Sequence, residues 1–383
     1  MSLFLLMFFL IYGGTHLYFF FKVRAAVPLG MPADLCLTVF LLLMVCAPIL
    51  VRVLEKGDME AAARLMAYAG YLWMGFLFLF FSSSLAVDIY QGTLHGIGYI
   101  SRLDIKPLLL SHRTALVVPL TWGVIAAVYG YFEARSIRTE KITVASPKIP
   151  QTLGKLTVVQ ISDVHLGLIV GKERLTAMLD KVKEASPDIL VSTGDLIDGQ
   201  VSDLTGLAKL LQEVRPPYGK YAVTGNHELY AGLTYSLDFM HAAGFKVMRG
   251  DDVVIPGVIT IAGVDDPVIS RLSESAADEE QRLLDRVSGQ SFTLLLKHRP
   301  AVAKGSMGRF DLQLSGHVHK GQLFPFNLVT YLFYPLRAGI NHYAGNTALY
   351  VSRGTGTWGP PIRFLAPPEV TVIELVHSSE SRS

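Results

Sequence analysis

The chain has 383 residues, of which 51% are hydrophobic and only 17% charged, with a formal net charge of +2. That is too apolar for an ordinary soluble protein, and the charge is uneven: residues 1–132 hold 8 of the 34 Lys and Arg and 6 of the 32 Asp and Glu, which leaves 26 of each for residues 133–383. A formally neutral C-terminal part gives no electrostatic support for nucleic-acid binding, and the two cysteines, Cys36 and Cys46, exclude a disulfide framework and a thiolate-rich metal site.

Four uncharged, apolar runs come first, over residues 3–21, 35–51, 65–87 and 114–132. About 20 apolar residues cross a bilayer, and four such runs separated by short charged links predict four membrane spans. The first run has no basic segment before it and no small-residue cleavage site after it, so it reads as a retained span rather than a signal peptide. Its Gly13 and Gly14 are candidates for close helix approach, and His16 reads as a packing residue. An even number of spans puts the N-terminus and the C-terminal part on one side. Arg52, Lys56, Arg64, Arg135, Arg138 and Lys141 on that side outnumber Lys22, Arg24, Arg102, Lys106 and Arg113 on the other. The positive-inside rule then predicts an inner or plasma membrane protein with a cytoplasmic C-terminal domain. Residues 85–112 read as a long link lying along the membrane surface.

The expected divisions are a transmembrane domain over 1–135, a linker over 136–154 marked by Pro147 and Pro150, a soluble domain over 155–377 and a disordered tail over 378–383. In the soluble part, short apolar runs alternate with helical patterns over residues 172–185, 203–214, 233–243 and 273–287. Residues 253–255 and 258–262 predict a hairpin, and 347–352 and 370–376 late strands. This alternation predicts a layered α/β domain.

Five of the apolar runs end in metal-competent side chains. Asp163-Val164-His165 follows the run 156–161, and Gly194-Asp195-Leu196-Ile197-Asp198 follows 189–191. Gly225-Asn226-His227-Glu228 follows 221–223, His298 follows 293–296, and Gly316-His317-Val318-His319 follows 312–314. Taken singly, each is an ordinary turn. Together, Asp163, His165, Asp195, Asn226, His298, His317 and His319 offer only oxygen and nitrogen, which suits Mn, Fe, Co, Ni or Zn. Seven donors exceed what one ion takes and match two ions bridged by a carboxylate such as Asp195, roughly 3.5–4 Å apart. Asp163 and Asp195 offset only half the charge of two divalent ions, and the positive remainder suits a phosphate.

In this order the five stretches resemble the signature of the calcineurin-like metallophosphoesterases, and the ending Ser352-Arg353-Gly354-Thr355-Gly356-Thr357-Trp358-Gly359-Pro360-Pro361 resembles a bacterial membrane-associated branch. The resemblance implies an αββα sandwich behind the four-helix transmembrane region, and a dinuclear centre with manganese as its first candidate. Asp163, His165 and His319 would hold one ion, Asn226, His298 and His317 the other, with Asp195 between. His227 would face the substrate, oriented by Asp198, and would stabilise developing charge or protonate the leaving oxygen during in-line attack on phosphorus. Protein phosphatases of this superfamily carry Arg after the second Asp; Gly199 stands there, which argues against a phosphoprotein substrate.

The apolar, aromatic stretch 322–336 begins three residues after His319 and reads either as a buried strand or core loop, or as an apolar flap beside the metals that meets lipid. Some members of the resembled family hydrolyse UDP-diacylglucosamine, and others are broad phosphodiesterases. The expected function is hydrolysis of a phosphoester or pyrophosphate bond of a membrane lipid, with the bilayer as partner and neither nucleic acid nor a protein partner. The alternatives are a phosphodiesterase on soluble nucleotides or cell-wall phosphodiesters, and an inactive membrane scaffold. Arg299, Arg337 and Arg353 are candidate phosphate contacts that read equally well as surface ion pairs.

Overall fold

The computed structural model describes residues 2–199, 204–270, 276–287 and 289–379. The chain divides into two compact units, Met1–Phe132 with Gly359–Phe364, and Glu133–Trp358 with Leu365–Ser383.

The first unit is helical: α1 (Ser2–Ala26), α2 (Met31–Lys56), α3 (Glu60–Ser101) and α4 (His112–Glu133). All four are long and apolar enough to cross a membrane. The link expected over residues 85–112 is largely helix, because α3, 42 residues long, continues through it to Ser101. Among the described residues nothing lies within 4 Å of a Cβ built on Gly13 or Gly14, so neither mediates a close approach there. A close approach is found instead between α2 and α3, where a Cβ on Gly70 would stand 2.5 Å from that of Ala47. Tyr12, Phe19, Leu41, Leu77, Phe80 and Leu116 form the unit's core. His16 is buried and satisfied, with Nδ1 2.7 Å from the Tyr12 carbonyl and Nε2 accepting from Trp73 Nε1 at 2.9 Å. The returning segment Gly359–Phe364 is pinned here by the Arg363 N–H, which donates to the Gly130 carbonyl at 2.9 Å.

The second unit is built on two six-stranded sheets. In chain order it runs β1 (Arg138–Ser146), β2 (Lys155–Ile161), α5 (Lys172–Glu184), β3 (Ile189–Ser192), α6 (Leu204–Gln212), β4 (Lys220–Ala222), α7 (Asn226–Ala231), α8 (Leu233–Ala242) and β5 (Lys246–Val247). There follow β6 (Asp251–Ile255), β7 (Ile259–Gly263), α9 (Pro267–Ser270), α10 (Ala276–Arg286), β8 (Thr293–Leu296), β9 (Leu312–Ser315), α11 (Phe326–Phe333), β10 (Gly339–Tyr343), β11 (Thr347–Val351) and β12 (Glu369–His377). One sheet has the order β1-β12-β2-β3-β4-β5, the other β10-β11-β9-β8-β7-β6.

Strands β2 to β5 are mutually parallel, as are β7, β8, β9 and β11. Parallel strands covered on both faces need continuous apolar runs, and β3, β7, β8 and β9 are buried at every residue. Leu156, Val158, Val191, Ile261, Leu294 and Leu312 belong to the core shared by the two sheets. A separate cluster joins Leu175, Met178 and Leu179 of α5, Leu207 and Leu211 of α6 and Phe239 of α8 to β2 and β3; Leu283 and Leu284 of α10 cover β7 and β8. The layering is helix, sheet, sheet, helix.

Residues 136–154, expected as a linker, contain β1, nine residues paired in parallel with β12. Ile142 and Val144 of β1 pack against the inter-sheet core, and the nearby prolines only end the strand. The predicted hairpin is β6–β7. The starts of the helices expected at 203–214 and 273–287, and the last four residues of the expected tail, lie outside the described residues.

Candidate metal centre

Every predicted ligand stretch leaves the C-terminal end of a parallel strand: 163–165 after β2, 194–198 after β3, 225–228 after β4, 298 after β8 and 316–319 after β9. In parallel sheets that edge is where loops converge on a ligand. Asp163, His165, Asp195, His317 and His319 all have positive φ, between 47° and 71°. Non-glycine residues held there cost about 1–3 kcal/mol each, a strain that surrounding structure must impose.

The imposing contacts are visible. The N–H of Asp163 donates to Gly194 O and that of His165 to Asp195 O, both at 3.0 Å, so the β2 and β3 loops are sewn together. The His317 N–H donates to both Asp163 carboxylate oxygens at 2.9 and 3.1 Å, and Ser162 Oγ donates to the same carboxylate. The His227 N–H donates to Asp195 Oδ1 at 2.8 Å. Two glycines permit this crowding. A Cβ on Gly316 would lie 2.1 Å from Asp163 Oδ2, and one on Gly225 2.2 Å from Asp195 Oδ1.

The side chains gather into three groups whose donor atoms lie within 4.8 Å of one another: Asp163, His165 and His319; His165, Asp195 and His227; Asp195, His298 and His317. The first and third share no member, and Asp195 reaches His165 through the second. The donor set fits metal ions better than it fits an ion-free interior. His165 Nε2 and His319 Nε2 face each other at 3.0 Å, as do His317 Nδ1 and His298 Nε2 at 3.1 Å. Among the described residues the buried His165 Nδ1 and Asn226 Oδ1 have no partner within hydrogen-bond distance, the Asp198 carboxylate standing 3.8 Å from the former, an arrangement that costs free energy unless something else takes the lone pair. His298 Nδ1 donates to Thr193 O at 2.8 Å, which turns Nε2 toward Asp195 Oδ2 at 3.1 Å. A backbone carbonyl behind a histidine fixes the tautomer a ligand needs.

The charges are strongly coupled. Burial works to neutralise Asp163, Asp195 and Asp198, yet the facing histidines hold all three carboxyls well below the usual range. Burial likewise opposes charge on His298 and His227, but Asp195 and its neighbours push them up to about 10 and about 9. His317 goes the other way, down to about 3, through burial and the His298 charge. Protons thus occupy the place that cations would neutralise. His227 Nδ1 donates to Asp198 Oδ1 at 2.5 Å, so this ring is held from behind by the second Asp of the motif.

Two groups escape sequence reading. Glu228 is fully buried and accepts from four backbone N–H groups of the Asp195 and Gly225 loops. Its only signal is its place at the end of Gly-Asn-His-Glu. Thr355 and Gly356 donate backbone hydrogen bonds to Ser162 O and Asp163 O, and a Cβ on Gly356 would fall 2.0 Å from Val164 O. That accounts for a glycine within Ser352–Pro361. Arg353 is paired with Glu140 and Glu369, and Arg299 grips Asp266 at 2.7 and 3.1 Å, so both serve as ion-pair residues here.

Residues 156–321 match the family model for the calcineurin-like phosphoesterases. The chain is 39% identical over 254 residues to an uncharacterized metallophosphoesterase of Aquifex aeolicus, covering 66% of this chain and 97% of that protein. A Danio rerio transmembrane protein with metallophosphoesterase domain is 32% identical over 275 residues, covering 69% of this chain and 62% of its own. The metallophosphoesterase YkuE of Bacillus subtilis is 33% identical over 257 residues, covering 64% and 87%. With every motif residue at a strand end and one relative matched over nearly its whole length, the chain belongs to the calcineurin-like metallophosphoesterases and is a metal-dependent phosphoesterase.

Proposed function

We propose that the protein is a membrane-anchored dinuclear phosphoesterase that hydrolyses a phosphoester or pyrophosphate bond of a lipid. The observation that carries the chemistry is the convergence of three donor groups on one sheet edge. Asp163, His165 and His319 would hold one ion and Asn226, His298 and His317 the other, with Asp195 available to both; manganese is the first candidate for this oxygen and nitrogen set. Such a pair supplies Lewis acidity toward a phosphoryl oxygen and lowers the pKa of water.

The chain's own residues do the rest. Asp198 holds the Nδ1 proton of His227 and fixes the ring, so Nε2 presents a proton to the leaving oxygen. With no ions bound, Asp195 and Asp198 outweigh burial and push that imidazole up to about 9. Glu228 holds the loops that carry Asp195 and His227 in register.

The four apolar helices support membrane anchoring. The lipid substrate is supported by α11. The stretch expected as a buried strand or an apolar flap is a helix with no buried residue, although it reads Phe-Asn-Leu-Val-Thr-Tyr-Leu-Phe. Leu328, Leu332 and Phe333 are 60%, 79% and 76% exposed. It starts seven residues after His319, and the Tyr334 ring at its end stands 5.4 Å from His317. Apolar surface of this density is expected to meet a lipid phase.

Hydrolysis of bis-p-nitrophenyl phosphate by the full chain in detergent, with each divalent ion in turn, tests the chemistry. Mn-dependent turnover that Asp195→Ala abolishes and His227→Ala lowers about 100-fold is expected. Inactivity with every ion would leave only a scaffold. Lipid extracts from cells with and without the gene test the substrate: an accumulated phosphorylated lipid is expected, and unchanged lipids beside altered soluble phosphodiesters would replace that substrate.

A further inference from the structure

His227 is flanked by two exposed aromatic rings that the chemistry above does not use. Tyr230 is 59% exposed with its ring centroid 5.3 Å from the imidazole, and Trp358 is 51% exposed at 5.9 Å. Both stand steeply inclined to the imidazole, at interplanar angles of 71° and 74°, so neither ring is stacked flat against it.

Neither ring is there by accident of a loose loop. Tyr230 follows His227 by three residues on α7, so the two side chains share one face of that helix. The Trp358 backbone is held by a buried side chain. The buried Gln322 donates from Nε2 to the Trp358 carbonyl at 2.8 Å, and its Oε1 accepts the Trp358 N–H at 2.9 Å. A two-point amide clamp fixes the backbone as a β-ladder would, yet Trp358 lies in no strand. Gln322 itself adopts φ 58°, three residues beyond His319. A buried glutamine at positive φ thus uses both of its side-chain polar atoms to hold the backbone that carries an indole beside the proposed acid. Large aromatics left half in water next to a catalytic group commonly serve as stacking faces.

We propose that Tyr230 and Trp358 form a platform for a planar, π-bearing ring carried on the leaving group, so that the enzyme selects substrates whose departing alcohol or phosphate bears such a ring. This rests on the proposed role of His227 toward the leaving oxygen, because the platform surrounds that residue. It places the ring on the His227 side, whereas α11 ends against His317, the side where an apolar tail is expected.

The test uses two non-hydrolysable probes of equal ring size, phenylphosphonate and cyclohexylphosphonate, titrated calorimetrically into the Mn-loaded full chain in detergent. The planar ring should bind about tenfold more tightly than the puckered one. Trp358→Ala and Tyr230→Ala should each bring the two affinities together, and Trp358→Phe, which keeps a π face, should preserve the difference. Phenylphosphonate should also quench tryptophan emission, and Trp358→Phe should remove the quench while Trp73 and Trp122 remain. Equal affinities in the wild type, no binding of phenylphosphonate, or a preference untouched by Trp358→Ala would each overturn the platform. Should phenylphosphonate bind with the expected dependence on Trp358 while no diester is hydrolysed, the platform stands and the proposed function falls. Should diesters be hydrolysed without any ring preference, the reverse holds.

Discussion

Glu228 accepts the backbone N–H of Asp195 on Oε2 at 3.0 Å, and on the same oxygen that of Gly225 at 2.6 Å; its Oε1 takes the N–H groups of Leu196 and Ile197 at 2.7 and 3.2 Å. Burial and the Asp195 charge push this carboxyl up, and the four N–H groups work against them. Each carboxylate oxygen serves two donors, so Glu228→Gln must turn an amide NH2 against two N–H groups whichever way it is placed. Two unsatisfied buried donors cost about 2–4 kcal/mol, and loss of a residue that positions a ligand typically lowers metal affinity about 10–100-fold. Thermal melts and Mn titrations of the variant should show both effects. A variant with unchanged Mn affinity would mean that Asp195 does not depend on Glu228 for its position.

How much of this was legible follows from where each signal resides. The candidate ligand stretches stood out because buried parallel strands are written as continuous apolar runs, so the residues at their ends can be found by inspection. Glu228 could be seen in the motif, but not what it does, since three of its four partners lie about 30 residues away in sequence. Strand β1 was hidden because its order comes from pairing with β12, more than 200 residues later. The clamp between Gln322 and Trp358 joins two segments that carry no common pattern. The exposed helix α11 could not be told from a buried strand, because apolar composition normally signals burial and here it does not.

Gly316 offers a second handle on the same centre. A Cβ there would stand 2.0 Å from Ser162 Oγ and 2.1 Å from Asp163 Oδ2, so Gly316→Ala must displace the carboxylate or the β9 loop. Since the His317 N–H is held by that carboxylate, the change reaches residues of both proposed ion sites. Turnover should fall more than 100-fold, while circular dichroism stays close to wild type because the strands themselves are untouched. Retained turnover would show that the loop yields without moving Asp163.

Protons and ions compete for this site, which gives a pH dependence with a definite sign. In the ion-free protein His298 is pushed from 6.5 up to about 10, so its charge stabilises the fold fully below pH 6.5 and that contribution is lost as pH rises through about 10. A cation needs the neutral ring, and its uptake must expel the proton. The melting temperature with chelator should therefore decline from pH 6.5 toward 10, while apparent Mn affinity should climb over the same interval. Calorimetry in buffers of different ionisation enthalpy should detect proton release at pH 7, reduced in His298→Ala. Mn uptake without proton release would contradict the ion-free charge pattern.

The apolar helix separates two views of the substrate. If α11 meets lipid, its side chains contribute only when the substrate is presented in a membrane or carries acyl chains. Full burial of one large apolar side chain is worth about 1.5–3 kcal/mol, and 1.4 kcal/mol is about tenfold in an equilibrium constant. Phe324, Phe326 and Phe333 are 44%, 40% and 76% exposed, so serine at these positions leaves most of the packing of the soluble unit intact. The triple change should lower kcat/KM on a vesicle-borne phospholipid diester at least tenfold, and on bis-p-nitrophenyl phosphate less than twofold. The small diester reports on the metals and His227 alone, so it guards against a folding defect. Equal losses on both substrates would mean that the helix supports the Tyr334–His317 contact rather than a lipid, and the spans would then be an anchor for an enzyme with a soluble substrate.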